Sequence, residues 1–367
     1  MKSASPPSRR GPNASRAIQA WLLRLPLVTP YRLAFGPVEA LDTMIVRVTL
    51  DDGAEGFGEA TLLTGYTDET IEGTWAKAAE LIGAAGSGKS RLHGTLDALD
   101  ATHPFLTTAF RTAEEMAQGS ARLSLEAPAR VPILGLLQGD TQEQVATEAD
   151  ALLARGYATL KVKVGFEPQG DARMVAMAQR AVAGRARIRI DANQGYTASA
   201  AIDFVSRLAN DSIELFEQPC AAGDWEAHAQ VVPAARAQGI ALMLDESIYS
   251  EREIERAAAS GAAQYIKVKL MKFSSLARLE AAIGRIRALG LEPVLGNGVA
   301  TDIGCWMEAC VAARHIGNAG EMNGFLKPRE RLLADALAFR DGAIEIPARW
   351  RPRVDVATLD RLALARL

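Results

Sequence analysis

Three cysteines and four histidines in 367 residues leave little room for the chemistry those side chains carry. Cys220, Cys305 and Cys310 lack the paired spacing of a metal site and read as reduced thiols in a cytoplasmic protein. A formal net charge of −3 gives no case for a nucleic-acid or membrane-surface partner. No segment approaches the roughly 18 uninterrupted apolar residues of a membrane span. The basic, Pro- and Ser-rich start is followed by no apolar run, so residues 1–15 are expected to be a disordered tail with no signal peptide. Apolar content of 49% and charged content of 23% describe an ordinary soluble globule, long for one domain.

Residues 16–130 read as an α+β capping domain. Its strands run over 18–25, 43–50 and 56–60, with a turn at Asp51-Asp-Gly53, and a helical stretch over 68–127 is interrupted by Gly and Ser between Gly83 and Ser90. From Val131 the rhythm changes to short apolar strands separated by Ala-rich helical stretches, among them 141–155, 171–184, 197–209, 224–238 and 274–289. Eight such strands over 131–341, the last near Glu321-Met-Asn323, predict an α/β fold with a (β/α)8-type barrel. An open doubly wound sheet is the competing topology, but the Gly-rich phosphate turn such sheets carry is missing. The C-terminal segment 342–367, opening on the strand-like Gly342–Pro347, is expected to rejoin the capping domain.

Charge is concentrated at the strand ends. Lys161 and Lys163, Asp191, Glu217, Asp245, and Lys267 and Lys269 close five successive strands, at spacings of 28, 26, 28 and 24 counted from Lys163 to Lys269. Carboxyl ends of barrel strands are where such folds build their sites. Three carboxylates in phase with the repeat fit a six-coordinate, oxygen-loving Mg2+, with Mn2+ as a substitute, and the absence of accompanying His or Cys argues against zinc. Lysines two apart share one strand face, and an ammonium turned into a barrel needs partners. A cation between Lys163 and Lys269 would lower their pKa values and let one act as a base. With the metal and lysines counted, the site carries net positive charge suited to the dianion formed when a carboxylate loses its α-proton.

Thr159-Leu-Lys161-Val-Lys163, Asp191-Ala-Asn193, Glu217-Gln-Pro219, Asp245-Glu-Ser247 and Lys269-Leu-Met-Lys272, in that order, resemble the muconate-lactonising subgroup of the enolase superfamily. The resemblance runs from about residue 18 to the end. It implies that Lys163 and Lys269 are the acid/base pair, that Lys161 assists the substrate carboxylate, and that Asp191, Glu217 and Asp245 bind Mg2+. It extends to Asn193, Asn297 and Glu321 as substrate-binding positions. The mandelate racemase subgroup carries a histidine on the seventh strand, where this chain has Leu295-Gly-Asn297. Three departures stand out. Arg111-Thr-Ala-Glu-Glu-Met-Ala replaces an Ile-Asp-x-Ala-x-x-Asp helix, Trp350-Arg-Pro-Arg353 replaces Pro-Gly-Leu-Gly, and Lys267 stands where a neutral residue is common. Dipeptide epimerases of the family have Asp-x-Asp on the eighth strand, against Glu321-Met-Asn323 here. Thr29–Phe35 and Thr61–Tyr66, with Tyr31, Arg32 and Tyr66, are the candidate lid segments.

The expectation is a Mg2+-dependent isomerase that moves the proton α to a carboxylate through an ene-diolate, acting on a small carboxylate and assembled as a homo-oligomer. A muconate-type cycloisomerase is the first specific reading. Racemisation or epimerisation of dipeptides or N-acyl amino acids comes next, then a succinylbenzoate-synthase-like dehydration, and last a carboxylate-binding protein without turnover.

Overall fold

In the computed structural model, residues 16–33, 36–63, 68–85 and 89–367 are described. The expected tail 1–15 lies outside them, as do residues 34, 35 and 64–66 of the two expected lid segments.

The chain opens on three antiparallel strands, β1 (Arg16–Leu33), β2 (Gly36–Leu50) and β3 (Glu55–Leu62). Helices α1 (Ile71–Ala85), α2 (Lys89–Leu99) and α3 (Pro104–Ala117) cover one face, where Met44, Val46 and Val48 meet Phe105, Leu106 and Phe110. Alternation along β2 explains the layer, since every second side chain must find an apolar partner. Gly56 and Gly58 on β3 let α3 lie directly on the sheet. A Cβ on Gly58 would stand 2.1 Å from the Ala109 carbonyl oxygen, and one on Gly56 2.1 Å from that of Ala113.

After β4 (Ala129–Pro132), seven parallel strands form one sheet: β5 (Gly135–Leu137), β6 (Thr159–Lys163), β7 (Arg187–Asp191), β8 (Ile213–Glu217), β9 (Ala241–Leu244), β10 (Tyr265–Val268) and β11 (Glu292–Leu295). The helices between them are α4 (Gln142–Ala154), α5 (Pro168–Val182), α6 (Ala198–Ser206), α7 (Trp225–Ala237) and α8 (Glu251–Ser260), then the short α9 (Leu270–Phe273) and α10 (Leu276–Ala288). Helix α11 (Asp302–His315) follows β11.

The ring closes through Gly320 and Glu321. Leu134 N donates to Gly320 O at 2.9 Å, and Glu321 N donates to Leu295 O at 3.0 Å. The expected eighth strand is therefore one bridged position, from Ile133 to Gly320, with no barrel helix after it. The backbone at Gly296 (φ +145°) runs so close to Glu321 that only glycine fits. Beyond it come β12 (Ala338–Arg340) and β13 (Ala343–Ile346), then α12 (Val356–Leu362) and β14 (Ala363–Arg366). Strand β13, expected to rejoin the first layer, pairs instead with β4, and it is β14 that adds to β1.

Side chains from the antiparallel layer fasten the two parts together at helix starts. Glu115 on α3 accepts from the backbone N–H groups of Leu276 and Ala277, at 2.8 and 3.0 Å, at the head of α10. Glu59 on β3 accepts from Thr301 N at 2.9 Å and Gly304 N at 3.0 Å at the head of α11. Carboxylates at helix N-termini meet unpaired N–H groups and the positive end of the dipole. The departing segment Arg111–Ala117 thus carries its own fastening: Arg111 pairs with Asp97 at 2.7 Å, while Glu115 reaches the barrel. Trp350, the other departure, packs edge-on against Trp306 of α11, ring centroids 6.4 Å apart.

Two glycine substitutions separate packing from propensity. Gly58→Ala should lower the unfolding free energy by ~1–3 kcal/mol through overpacking against α3. Gly83→Ala, inside α1 with open space around it, should raise it by ~0.5–1 kcal/mol. Equal effects of the same sign in denaturant titrations would contradict this packing of β3 on α3.

Candidate active site

Strand parity decides what enters the barrel. In the registers Lys161–Arg189–Leu215 and Lys163–Asp191–Glu217–Met243, alternate residues of neighbouring strands stand side by side. Leu215, Met243 and Val294 form an apolar plug within the barrel. Arg189 is fully buried with them, donating to Glu214 at 2.8 Å and Ala319 O at 2.6 Å. Toward the carboxyl ends the lining becomes charged. Its acids and amines cannot stay unpaired there, because a lone charge out of water costs far more than folding can supply.

The pairing is dense. Lys161 Nζ donates to Asp191 Oδ2 and Glu321 Oε2, both at 2.8 Å. Lys163 Nζ lies 2.6 Å from Asp191 Oδ2 and bonds Asn193 Oδ1. Lys267 Nζ lies 2.9 Å from Glu217 Oε1 and 3.4 Å from Asp245 Oδ2, and it also contacts Glu321. Lys269 Nζ lies 2.7 Å from Asp245 Oδ2. Lys163 alone among these four lysines keeps appreciable exposure, 27% of its side chain, against 1% for Lys161, 3% for Lys267 and 2% for Lys269.

The structure brings Lys161, Lys163, Asp191, Asn193, Glu217, Asp245, Lys269 and Glu321 into one cluster. Asn193 adopts a left-handed backbone (φ 42°) and bridges Lys163 to Glu246, donating to Glu246 Oε1 at 2.8 Å. Asn297 sits apart, buried at the seam with the first layer. It donates to Met271 Sδ at 2.9 Å and accepts from Val299 N at 3.1 Å.

Three neighbours escaped the sequence reading. Lys272 donates to Asp245 Oδ1 at 2.9 Å and lies 4.3 Å from the Tyr249 ring centre. Gln218 takes N–H bonds from Asp245 and Ser247. Glu246 completes the acids. All three lie within the quoted motifs, but none is the last residue of a strand, so no parity argument reaches them.

Asp191 and Asp245 keep their charge against burial, held well below the carboxylate range by Lys161 and Lys163 and by Lys269 and Lys272 respectively. Glu217 goes the other way. Burial and then the neighbouring Asp191 charge push it up to about 7, despite two nearby lysines. Burial and the Asp245 charge also raise Glu246. Within the cluster two carboxylate oxygens, Glu217 Oε2 and Glu246 Oε2, are buried without a hydrogen bond; Lys161 Nζ lies 2.8 Å from the first but off the bonding direction. Orphaned oxygens and acids that resist ionisation mark carboxylates whose burial and mutual repulsion the lysines only partly offset. An all-oxygen donor set of this kind fits a hard divalent cation. Among the described residues the acids do not already close around a common point; each of the three sequence-predicted ligands is also turned onto a lysine.

A cavity of about 340 Å3 opens beside Lys163 and Asn193, lined by Leu137, Val164 and Met174. A larger one, about 670 Å3, lies at the opposite end of the barrel near Arg187, Glu214 and Tyr265, away from the acid–lysine cluster.

Residues 144–351 match the family described as enolase C-terminal domain-like. An aromatic dipeptide epimerase of Herpetosiphon aurantiacus is 32% identical, over 84% of this chain and 88% of that protein. Muconate cycloisomerase 1 of Pseudomonas putida is 28% identical, over 92% and 93%. Among solved structures, N-succinyl Arg/Lys racemase from Bacillus cereus superposes with a TM-score of 0.84 at 22% identity, over 96% of this chain and 99% of that one. A dipeptide epimerase from Cytophaga hutchinsonii, complexed with Mg and D-Ala-L-Val, gives 0.85 at 19% identity. These relatives are isomerases, and epimerases and racemases outweigh the cycloisomerase among them, which reverses the order of the two specific readings.

Glu308 on α11 supports the active strand from outside. Its Oε1 accepts from Leu270 N at 2.8 Å, directly after Lys269, and burial pushes its pKa up to about 8. The folded protein therefore holds a proton there that the unfolded chain releases above pH ~4.5. That contribution to stability is complete at low pH and is lost as pH rises toward 8, at up to ~1.4 kcal/mol per pH unit. Glu308→Gln keeps the acceptor and removes the titration. Its unfolding free energy should fall less between pH 5.5 and 8 than the parent's; parallel pH profiles would show that Glu308 is ionised when folded.

Proposed function

This chain belongs to the enolase superfamily, and we propose that within it the protein is a Mg2+-dependent racemase or epimerase of N-acylated α-amino acids. The carrying observation is the placement of Lys163 and Lys269 on β6 and at the end of β10, four strands apart around one acid cluster. Two amines facing one α-carbon from opposite sides let one remove the proton while the other returns it to the far face.

In this reading Lys161 offsets the carboxylate charge that grows as the α-proton leaves, and Asn193 aims Lys163 through the bond to its side-chain oxygen. Lys272 and Gln218 hold Asp245. Asp191, Glu217 and Asp245 would hold the divalent ion, with the orphaned Glu217 Oε2 the readiest donor. The ion supplies Lewis-acid stabilisation of negative charge on the substrate carboxylate. Asn297, already satisfied within the seam, supports the adjoining loop rather than the substrate.

The choice of an N-acyl group rests on Glu321. Both Lys161 and Lys267 bind it, and it is 4% exposed, so it has no spare charge for a substrate ammonium. Dipeptides share the amide and carboxylate of N-acyl amino acids but add that ammonium.

Incubation with Mg2+ in D2O tests the reading, using N-acetyl and N-succinyl amino acids, dipeptides and cis,cis-muconate. NMR follows the α-proton and polarimetry follows configuration. N-acyl amino acids should exchange and racemise, with kcat/KM at least about tenfold above that for dipeptides of the same side chain. Lys163→Ala and Lys269→Ala should each cost on the order of 10²–10⁴ in rate, one abolishing exchange from one enantiomer and the other from its mirror image. Turnover confined to dipeptides would overturn the substrate class. Turnover of muconate alone, or near-normal rates in both lysine variants, would overturn the reaction.

A further inference from the structure

Lys267 has no place in the chemistry above, yet it is 3% exposed and sits in the middle of the acids. Its ammonium reaches Glu217 Oε1 at 2.9 Å, Asp245 Oδ2 at 3.4 Å and the Glu321 carboxylate. Residue 267 faces inward because it lies two positions before Lys269, whose backbone continues the extended run of β10. Next to it in register on β11 is Val294, an apolar side chain that offers no countercharge. Everything that neutralises Lys267 therefore comes from the acid cluster.

We propose that Lys267 is a built-in countercation which, paired with Glu321, sets how strongly the cluster binds a divalent metal. This rests on the metal reading of Asp191, Glu217 and Asp245. The fixed ammonium occupies Glu217 Oε1, leaves Oε2 with only the misaligned Lys161 ammonium at 2.8 Å, and dilutes the negative potential across Glu217 and Asp245. Glu321 offsets the added charge from the other side, so the pair is close to neutral as a unit. Lys267 is a positioning residue, and its effect travels through the carboxylates it holds.

The arrangement makes opposite predictions for the two members of the pair. In a confined, poorly hydrated site, removing one fixed charge a few ångströms from a divalent ion changes its affinity by about tenfold or more. Lys267→Met keeps the length of the side chain without the charge and should tighten Mn2+ binding at least about tenfold. Glu321→Gln should weaken it by a similar factor. The double variant K267M/E321Q should return to within about threefold of the parent.

The test is titration of the chelator-stripped, full-length protein with Mn2+ alone, read by calorimetry and by the loss of the free-ion EPR signal. Thermal unfolding is measured with and without the ion. Lys267→Met should also melt lower than the parent when stripped of metal and gain more on adding Mn2+, since the ion then replaces the missing countercation. If Lys267→Met does not fold, E321Q and the double variant still decide: weaker binding in the first and recovery in the second support the proposal. Unchanged affinity in every folded variant, or weaker binding in Lys267→Met, overturns the countercation role while leaving the metal site intact. Failure of the parent protein to bind Mn2+ overturns this proposal and the metal reading together.

Discussion

Burying ionised groups at the mouth of the barrel is the constraint from which the other features follow. Lys161, Lys163, Lys267, Lys269 and Lys272 meet Asp191, Glu217, Asp245, Glu246 and Glu321 in a space closed below by Leu215, Met243 and Val294. Each ion would be prohibitive alone, and even paired ones contribute little net stability. The layer persists because the rest of the barrel, an apolar shell of Val, Ile and Leu, carries the folding free energy. What the charged layer provides is preorganisation: amines and carboxylates fixed before any ligand arrives.

The pairing is complete on some acids and incomplete on others, and the difference is informative. Asp191 is held as an anion by two lysines and Asp245 by three, while Glu217, although Lys161 and Lys267 approach it, and Glu246 each keep a buried oxygen without a hydrogen bond. A cluster serving stability alone would have no reason to leave such oxygens, since each costs roughly 1–3 kcal/mol. Their position between the outer lysines puts the unmet hydrogen-bonding capacity where an added cation would do most.

Period-two alternation made much of this legible in advance. Lysines two apart on β6 and β10, and acids at the ends of β7 to β9, follow from strand parity once a barrel is assumed. The antiparallel layer was readable for the same reason. The last stave was not, because one bridged residue at Gly320 leaves no alternation to detect. Nor were the partners of Lys267, which depend on how far Glu217 and Glu321 reach across the barrel. The fastening of the two parts was hidden too. Glu59 and Glu115 look like ordinary strand and helix acids until the starts of α11 and α10 are placed against them. Long-range pairings of this kind are properties of the closed fold, and local sequence does not encode them.

Anomalous diffraction from crystals grown with Mn2+ tests the central claim, that this cluster is organised around one divalent cation, most directly. The account predicts a single strong peak at the barrel mouth about 2.1–2.3 Å from oxygens of Asp191, Glu217 and Asp245, with Glu217 Oε2 among them. A peak elsewhere, or none at saturating Mn2+ with all three carboxylates still turned onto the lysines, would contradict it.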